Sequence, residues 1–318
     1  MAVNAFIFPG QGSQAVGMGQ DLAAAFAPAR QVFEEVDEVL KQKLSKLMFE
    51  GPSDELTLTE NAQPALMAVS LAVLRVLQQE GGVVLKDKIV LAAGHSLGEY
   101  SALAAVDAFS IAEAARLLKL RGQTMQKAVA PGVGAMAALL GVDMDLAREI
   151  CAEAETGPDG RETVSAANDN GGGQVVISGH KAAVERAIEI AKGKGVKRAM
   201  LLPVSAPFHC ALMAPAADAM AEAFANAPPH APVLPIIANV TAAKASDPSE
   251  IRDLLVQQVT ATVRWRESVE EMVKLGVTNF YEIGSGKVLS GLVKRITPDA
   301  TATPVGSPAD IEAVLKVL

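Results

Sequence analysis

Apolar positions along this chain fall into short unbroken runs separated by stretches of helical spacing. Val3 to Phe8 is one such run and stops at Pro9-Gly10; Lys88 to Ala93, reading KIVLAA, is another. Runs this short, closed by turn residues, predict strands buried on both faces. Between them the spacing predicts helices over Ala29 to Leu47 and Pro64 to Gln79. The second would open with Pro64 at its first position, where a missing N–H costs nothing. Glu99 to Val106 follows KIVLAA as a further helix, so the local order is strand, sharp turn, helix.

From Gly134 to Val204 the rhythm changes. Strands are expected at Ala135 to Leu140, Thr163 to Asn168, Gln174 to Ser178 and Arg198 to Pro203, with helices over Asp143 to Glu155 and Lys181 to Lys192. That order, β-α-β-β-α-β, is the split-βαβ pattern of a ferredoxin-like unit. After Ser205 the longer alternation resumes. It brings a helix over Leu212 to Ala225, a Pro-rich link, a strand at Ile236 to Asn239, and helices from Pro248 and Arg264. A strand over Thr278 to Ile283 and a closing helix complete it. The expected architecture is an open, mostly parallel α/β sheet with helices on both faces. Residues 1–130 and 206–318 form the large domain, and residues 131–205 the inserted ferredoxin-like subdomain.

Composition narrows the class. Half of the 318 residues are hydrophobic, only 4% are aromatic, and 28 basic against 36 acidic side chains leave a net charge of −8. This suits a helix-rich α/β protein and argues against a diffuse nucleic-acid footprint. Cys151 and Cys210 cannot build a disulfide framework, and no Cys/His cluster has metal-ligand spacing, so a reducing cytoplasm is expected. The N-terminus lacks the basic n-region of a signal peptide. No apolar stretch reaches the roughly 20 residues a membrane span needs.

The sharpest chemical signal is Gly94-His95-Ser96-Leu97-Gly98, a G-x-S-x-G between predicted strand and helix. Such a turn forces the serine into a strained backbone, and the flanking glycines relieve the crowding. Ser96 would then stand at a helix N-terminus, where free N–H groups favour developing negative charge. As a plain glycine-rich turn, the same residues would make Ser96 an N-cap. A nucleophilic serine needs a base, and there are four histidines. His95 is beside Ser96 and projects elsewhere, His180 opens a helix, and His230 lies in the Pro-rich link. His209 sits where the insert hands the chain back to the main domain, a natural place for a cleft. Arg116 and Arg121 lie on the helix after the elbow helix; Arg121 precedes Gly122 and is expected to turn inward near a kink. Gly10, Gly12 and Ala15 also match a dinucleotide fingerprint, but no second strand ending in an acidic residue follows. The loop after the first strand could instead aim the Gln11 N–H at an oxyanion beside Ser96, paired with that of Leu97.

Taken together, FPGQGSQ (Phe8 to Gln14), GHSLGEYSAL (Gly94 to Leu103), Arg121-Gly122, QVVISG (Gln174 to Gly179), SAPFHC (Ser205 to Cys210) and YEIGSGKVLSGL (Tyr281 to Leu292) resemble the malonyl-CoA:acyl carrier protein transacylases of bacterial type II fatty-acid synthesis. The resemblance spans essentially the whole chain. It implies a hydrolase-like large domain, Ser96 as nucleophile, His209 as general base and the N–H groups of Gln11 and Leu97 as oxyanion hole. Arg121 would bind the malonyl carboxylate, Met125 would line that pocket, and Phe208 would exclude an α-methyl group. Gln258, with Gln257 beside it, matches the position whose carbonyl orients the histidine. It further implies malonyl-CoA as substrate, acyl carrier protein as partner, no cofactor, and a monomeric cytoplasmic enzyme. Acyl carrier proteins are acidic as a class, so docking on a chain of charge −8 calls for a local basic surface. Lys192, Lys194, Lys197 and Arg198 are one candidate; Lys287, Lys294 and Arg295 are another. A serine esterase shares the elbow but usually takes an Asp or Glu as its third member, and a dinucleotide-binding module remains the non-catalytic alternative.

Overall fold

The computed structural model describes residues 2–158, 160–204 and 206–318, so Ser205 of the expected SAPFHC motif lies outside the described residues. Twelve strands form among them: β1 (Asn4–Phe8), β2 (Leu91–Gly94), β3 (Gly134–Leu140), β4 (Thr156–Gly157), β5 (Gly160–Arg161), β6 (Val164–Asp169), β7 (Gln174–His180), β8 (Arg198–Leu201), β9 (Ile236–Ile237), β10 (Lys244–Ala245), β11 (Asn279–Ile283) and β12 (Thr301–Val305). The larger sheet runs β10-β9-β2-β1-β11-β12, and only the β10–β9 pair is antiparallel. In β1 the side chains alternate: Phe6 and Phe8 enter the core on one face, Ala5 and Ile7 the core on the other. Burial on both faces is why this strand reads as an unbroken apolar run.

The second sheet, β6-β7-β3-β8, is antiparallel throughout and carries the helices Met144–Ala154 and Lys181–Gly193. Its buried apolar residues, Ala137 to Val196, form a cluster of their own. A stitch joins it to the larger layer. Val263 N–H donates to the Ala167 carbonyl and Asp169 N–H to the Val263 carbonyl, each at 2.9 Å. Thr262 Oγ1 adds a bond to the Ala166 carbonyl at 2.7 Å, and the Arg266 guanidinium pairs with the nearly buried Asp169 carboxylate at 2.9 Å.

Several sequence expectations are corrected. The helix expected over Ala29 to Leu47 breaks at Lys41, whose φ of 50° ends Ala27–Leu40 before Leu44–Glu50 begins. Pro64 lies inside a helix, not at its start: Thr59–Gln79 runs through it, forfeiting one bond to the Glu60 carbonyl. Strand β2 starts at Leu91, after a short helical turn over Leu85–Lys88. The C-terminal end holds β12 and a helix over Pro308–Val314 beyond the single helix expected. β12 escapes a pattern reading because it is an edge strand, Thr301-Ala302-Thr303-Pro304-Val305, with Pro304 tolerated only there.

Candidate active site

Ser96 stands at the carboxyl ends of the neighbouring parallel strands β1 and β2, between β2 and the helix Leu97–Ala105. Its backbone is strained, with φ 54° and ψ −110°. The turn closes only because its flanking positions carry no Cβ. One on Gly94 would come within 1.9 Å of the Gly98 carbonyl oxygen, and one on Gly98 within 2.2 Å of the Phe8 carbonyl oxygen. Leu97 opens the helix, so its N–H has no intrahelical acceptor. Gln11, in the loop after β1, lines the same cleft and reaches Thr59 with its side-chain amide at 3.4 Å.

The cleft, about 480 Å³, lies between the two sheets. His209, also at positive φ (58°), faces Ser96 with Nε2 2.8 Å from the hydroxyl. Its Nδ1 lies 2.8 Å from the Gln258 carbonyl. A carbonyl only accepts, so Nδ1 carries the proton and Nε2 presents its lone pair to the serine O–H. Gln258 is the last residue of the helix Pro248–Gln258; the Val256 and Gln257 carbonyls accept from the following turn, and the Gln258 carbonyl turns the partly negative helix end to the imidazole. The oxygen on Nδ1 thus belongs to Gln258 and not to Gln257, and it stands where a carboxylate is usual. Burial, with the Arg121 charge adding to it, pushes the His209 pKa down to about 3, against the pull of the Gln258 carbonyl. The imidazole is neutral at neutral pH.

Arg121 comes from the helix Ile111–Lys127, which starts on a Ser110/Glu113 capping box and runs unbroken past Gly122. Gly122 allows close packing: a Cβ there would lie 2.5 Å from Glu60 Cα. Arg121 is 1% exposed, while Arg116 is exposed on the far side. Its Nη2 donates to Ser96 Oγ at 3.1 Å and to Gln258 Oε1 at 2.9 Å, and Nη1 donates to Gln63 Oε1 at 2.9 Å. The guanidinium lies over the Tyr100 ring at 5.6 Å. Met125, one turn further along that helix, and Phe208 complete the apolar lining near it.

Three members of this network escape sequence reasoning. Asn239, just past β9, accepts from the Ser96 N–H at 2.7 Å and donates to the Gly94 carbonyl at 2.6 Å. Gln63 holds Arg121 from the first turns of the Thr59–Gln79 helix. Glu99 is buried on the elbow helix, where Gln258 Nε2 donates to its carboxylate at 2.7 Å and the Asn239 N–H at 3.2 Å. Desolvation pushes its pKa up to about 7 despite those bonds. The available signal was its place as the sole charge in LGEYSALAA.

The rings of His95 and His180 bond other partners than the Ser96 hydroxyl. His95 turns away from Ser96 and bonds Asn170 Oδ1 at 2.9 Å; His180 accepts from the Thr163 N–H, also at 2.9 Å. The glycine loop packs against the elbow, where a Cβ on Gly10 would lie 2.7 Å from the His95 carbonyl oxygen. Of the basic candidates, Lys194 sits between Glu149 and Glu153 at 2.7 Å from each, and Lys192 pairs with Glu189 at 2.6 Å. Lys197 and Arg198, like Lys287, Lys294 and Arg295, have no acidic partner among the described residues, and Lys287 adjoins Val288 on the cleft wall. No helix among the described residues is long and apolar enough to cross a membrane.

The acyl transferase domain family matches residues 5–304. The malonyl CoA-acyl carrier protein transacylase of Escherichia coli K12 is 46% identical over 313 residues, covering 98% of this chain and 99% of that protein. Its namesake from Bacillus subtilis is 44% identical over 319 residues, covering 100% and 98%. Among solved structures, the acyl-carrier-protein-S-malonyltransferase of Bartonella henselae superposes with a TM-score of 0.95 at 56% identity, covering 99% of both chains. A malonyl-transacylase solved in complex with its type II PKS acyl-carrier protein gives 0.94 at 43% identity, again over 99% of both.

Proposed function

This chain belongs to the acyl transferase family, among its malonyl CoA-acyl carrier protein transacylases, and on that premise we propose that it moves a malonyl group from malonyl-CoA to the phosphopantetheine thiol of acyl carrier protein, for fatty-acid synthesis. The observation that carries this reading is a single oxygen. Ser96 Oγ lies 2.8 Å from a neutral imidazole nitrogen and 3.1 Å from a buried guanidinium. A nucleophile with a base on one side and a fixed cation on the other suits an acyl group that ends in a carboxylate one methylene from its carbonyl.

In the first half-reaction Ser96 Oγ attacks the thioester carbonyl while His209 Nε2 takes its proton. The N–H groups of Gln11 and Leu97 receive the developing oxyanion. The thioester C–S bond breaks, and the imidazolium returns its proton to the leaving coenzyme A sulfur. In the second, His209 takes the proton of the carrier thiol, whose sulfur attacks the malonyl ester; Ser96 leaves as the alcohol, reprotonated by His209. Each imidazolium is stabilised through Nδ1 by the helix-terminal Gln258 carbonyl. Arg121 holds the carboxylate throughout, with Met125 and Phe208 packing the methylene. The chemistry calls for no cofactor.

We read residues 131–205 as an inserted ferredoxin-like subdomain forming one wall of the cleft, and residues 1–130 and 206–318 as a hydrolase-like domain carrying the elbow. The enzyme is proposed to act as a cytoplasmic monomer. A serine esterase is the less favoured reading, because the carboxyl nearest the centre, Glu99, bonds Gln258 and not the imidazole. Intact-mass measurement after mixing with malonyl-CoA tests the proposal. A malonyl adduct on Ser96, absent in Ser96→Ala, is expected; an adduct on another residue, such as Cys210, would overturn it.

A further inference from the structure

We propose that Glu99 is a positioning residue for this transfer, holding Ser96 and Arg121 in register through Asn239 and Gln258; the inference rests on the malonyl-transfer reading above. Glu99 touches neither Ser96 Oγ nor His209, yet it is 1% exposed on an otherwise uncharged helix. A carboxyl buried to that degree is tolerated only when its oxygens are bonded. Oε2 accepts from Gln258 Nε2 at 2.7 Å and from the Asn239 N–H at 3.2 Å.

Both donors in turn grip the strained serine. Asn239 Oδ1 accepts from the Ser96 N–H at 2.7 Å, and Gln258 Nε2 donates a second bond to the Ser96 carbonyl at 2.9 Å. The two ends of Ser96 are therefore held by the side chains of two residues that both bond one carboxylate oxygen, Gln258 through its side-chain amide and Asn239 through its backbone N–H.

The same oxygen, together with the Ser96 carbonyl, sets which way the Gln258 amide faces. With Nε2 directed at Glu99, Oε1 faces Arg121 Nη2 at 2.9 Å. A flipped amide would set its NH₂ against the guanidinium and its oxygen against the carboxylate, two unfavourable contacts. Glu99 thus turns an acceptor towards Arg121 and keeps the fork aimed past Ser96, without meeting the substrate itself.

The test follows the rate of Ser96 acylation by malonyl-CoA and by acetyl-CoA in wild type, Glu99→Ala, Glu99→Asp and Glu99→Gln, read by intact mass. Ala deletes the acceptor, Asp keeps the charge but withdraws the oxygen by one methylene, and Gln keeps an acceptor oxygen at the original reach. The malonyl-to-acetyl rate ratio is expected to fall roughly tenfold in Ala and Asp, as Arg121 loses its bearing, and to be largely restored in Gln. A merely structural Glu99 would lower the melting temperature and leave the ratio unchanged in every variant, which overturns the proposal. So does Gln behaving like Ala. Should Ala fail to fold, Asp against Gln decides. No adduct on wild-type Ser96 would overturn the transfer reading itself, a result distinct from an unchanged ratio.

Discussion

Ser96 and His209 meet across a 2.8 Å hydrogen bond with both backbones at positive φ, 54° and 58°. Neither is a glycine, so each sits in a conformation that L-residues rarely adopt and that costs on the order of 1–3 kcal/mol. Glycines at 94 and 98 and the bonds from Asn239 and Gln258 hold the serine there. The pairing of hydroxyl and imidazole is imposed by the surrounding fold, not by local preference.

Arg121→Ala is expected to cut malonyl transfer by about 2–5 kcal/mol, the cost of removing one partner of a buried charge pair. Transfer of uncharged acetyl should survive or improve. Steady-state kcat/KM for both thioesters checks this; equal losses would make Arg121 a structural residue.

Phe208→Ser is expected to relax discrimination between malonyl and methylmalonyl thioesters by about 1–3 kcal/mol, the scale of one methyl group in a pocket. The ring lines the cleft with Arg121, Met125 and His209. Competition between the two thioesters reads the ratio directly, and an unchanged ratio would place the steric selection elsewhere.

Two buried groups set the pH response. His209 falls from an ordinary 6.5 to about 3, so the stability it contributes is present above pH 6.5 and is lost as pH drops towards 3. Glu99 rises from 4.5 to about 7, so its contribution is present below pH 4.5 and lost as pH rises through 7. Between pH 4.5 and 6.5 the two slopes oppose each other. Denaturant titrations of wild type and Glu99→Gln should diverge across pH 4.5–7, the variant gaining up to about 1.4 kcal/mol per pH unit. A constant difference would rule out a raised Glu99. Single-turnover acylation of Ser96 should likewise show no inflection near pH 6.5, where an exposed histidine would protonate.

Carrier docking is expected to use the basic group beside the cleft. Lys194 is neutralised by Glu149 and Glu153, whereas Lys287 and Lys294 are unpaired among the described residues. Lys287→Glu with Lys294→Glu should raise the KM for carrier protein roughly tenfold at low salt, with the effect shrinking at high salt. The KM for malonyl-CoA should stay put. Lys194→Glu should leave carrier kinetics unmoved, and the opposite ranking would return docking to the Lys192–Arg198 group.

What the sequence disclosed and what it withheld divide by distance along the chain. The elbow, Ser96, and the strand and helix flanking it are local, since Gly94 and Gly98 matter to atoms in the same turn. The inward Arg121 was legible from the leucines around it. The bonds that hold these groups are not local: Ser96 meets Asn239 across 143 residues and Glu99 meets Gln258 across 159. No periodicity encodes such a pairing. Pro64 misled because the first-turn rule is a preference, and here the helix extends upstream to bring Gln63 against Arg121. β12 carries too little two-sided burial to stand out from a loop.

The stitch between Val263 and β6 lies only five residues past Gln258, whose carbonyl meets the His209 imidazole. The chain passes between the layers after the helix Ile111–Lys127 and again after β8, and the stitch fastens them at a third place. The cleft wall and the aim of the His209 imidazole therefore share one short stretch of chain, Gln258 to Val263, and loosening its contact with β6 is expected to disturb both.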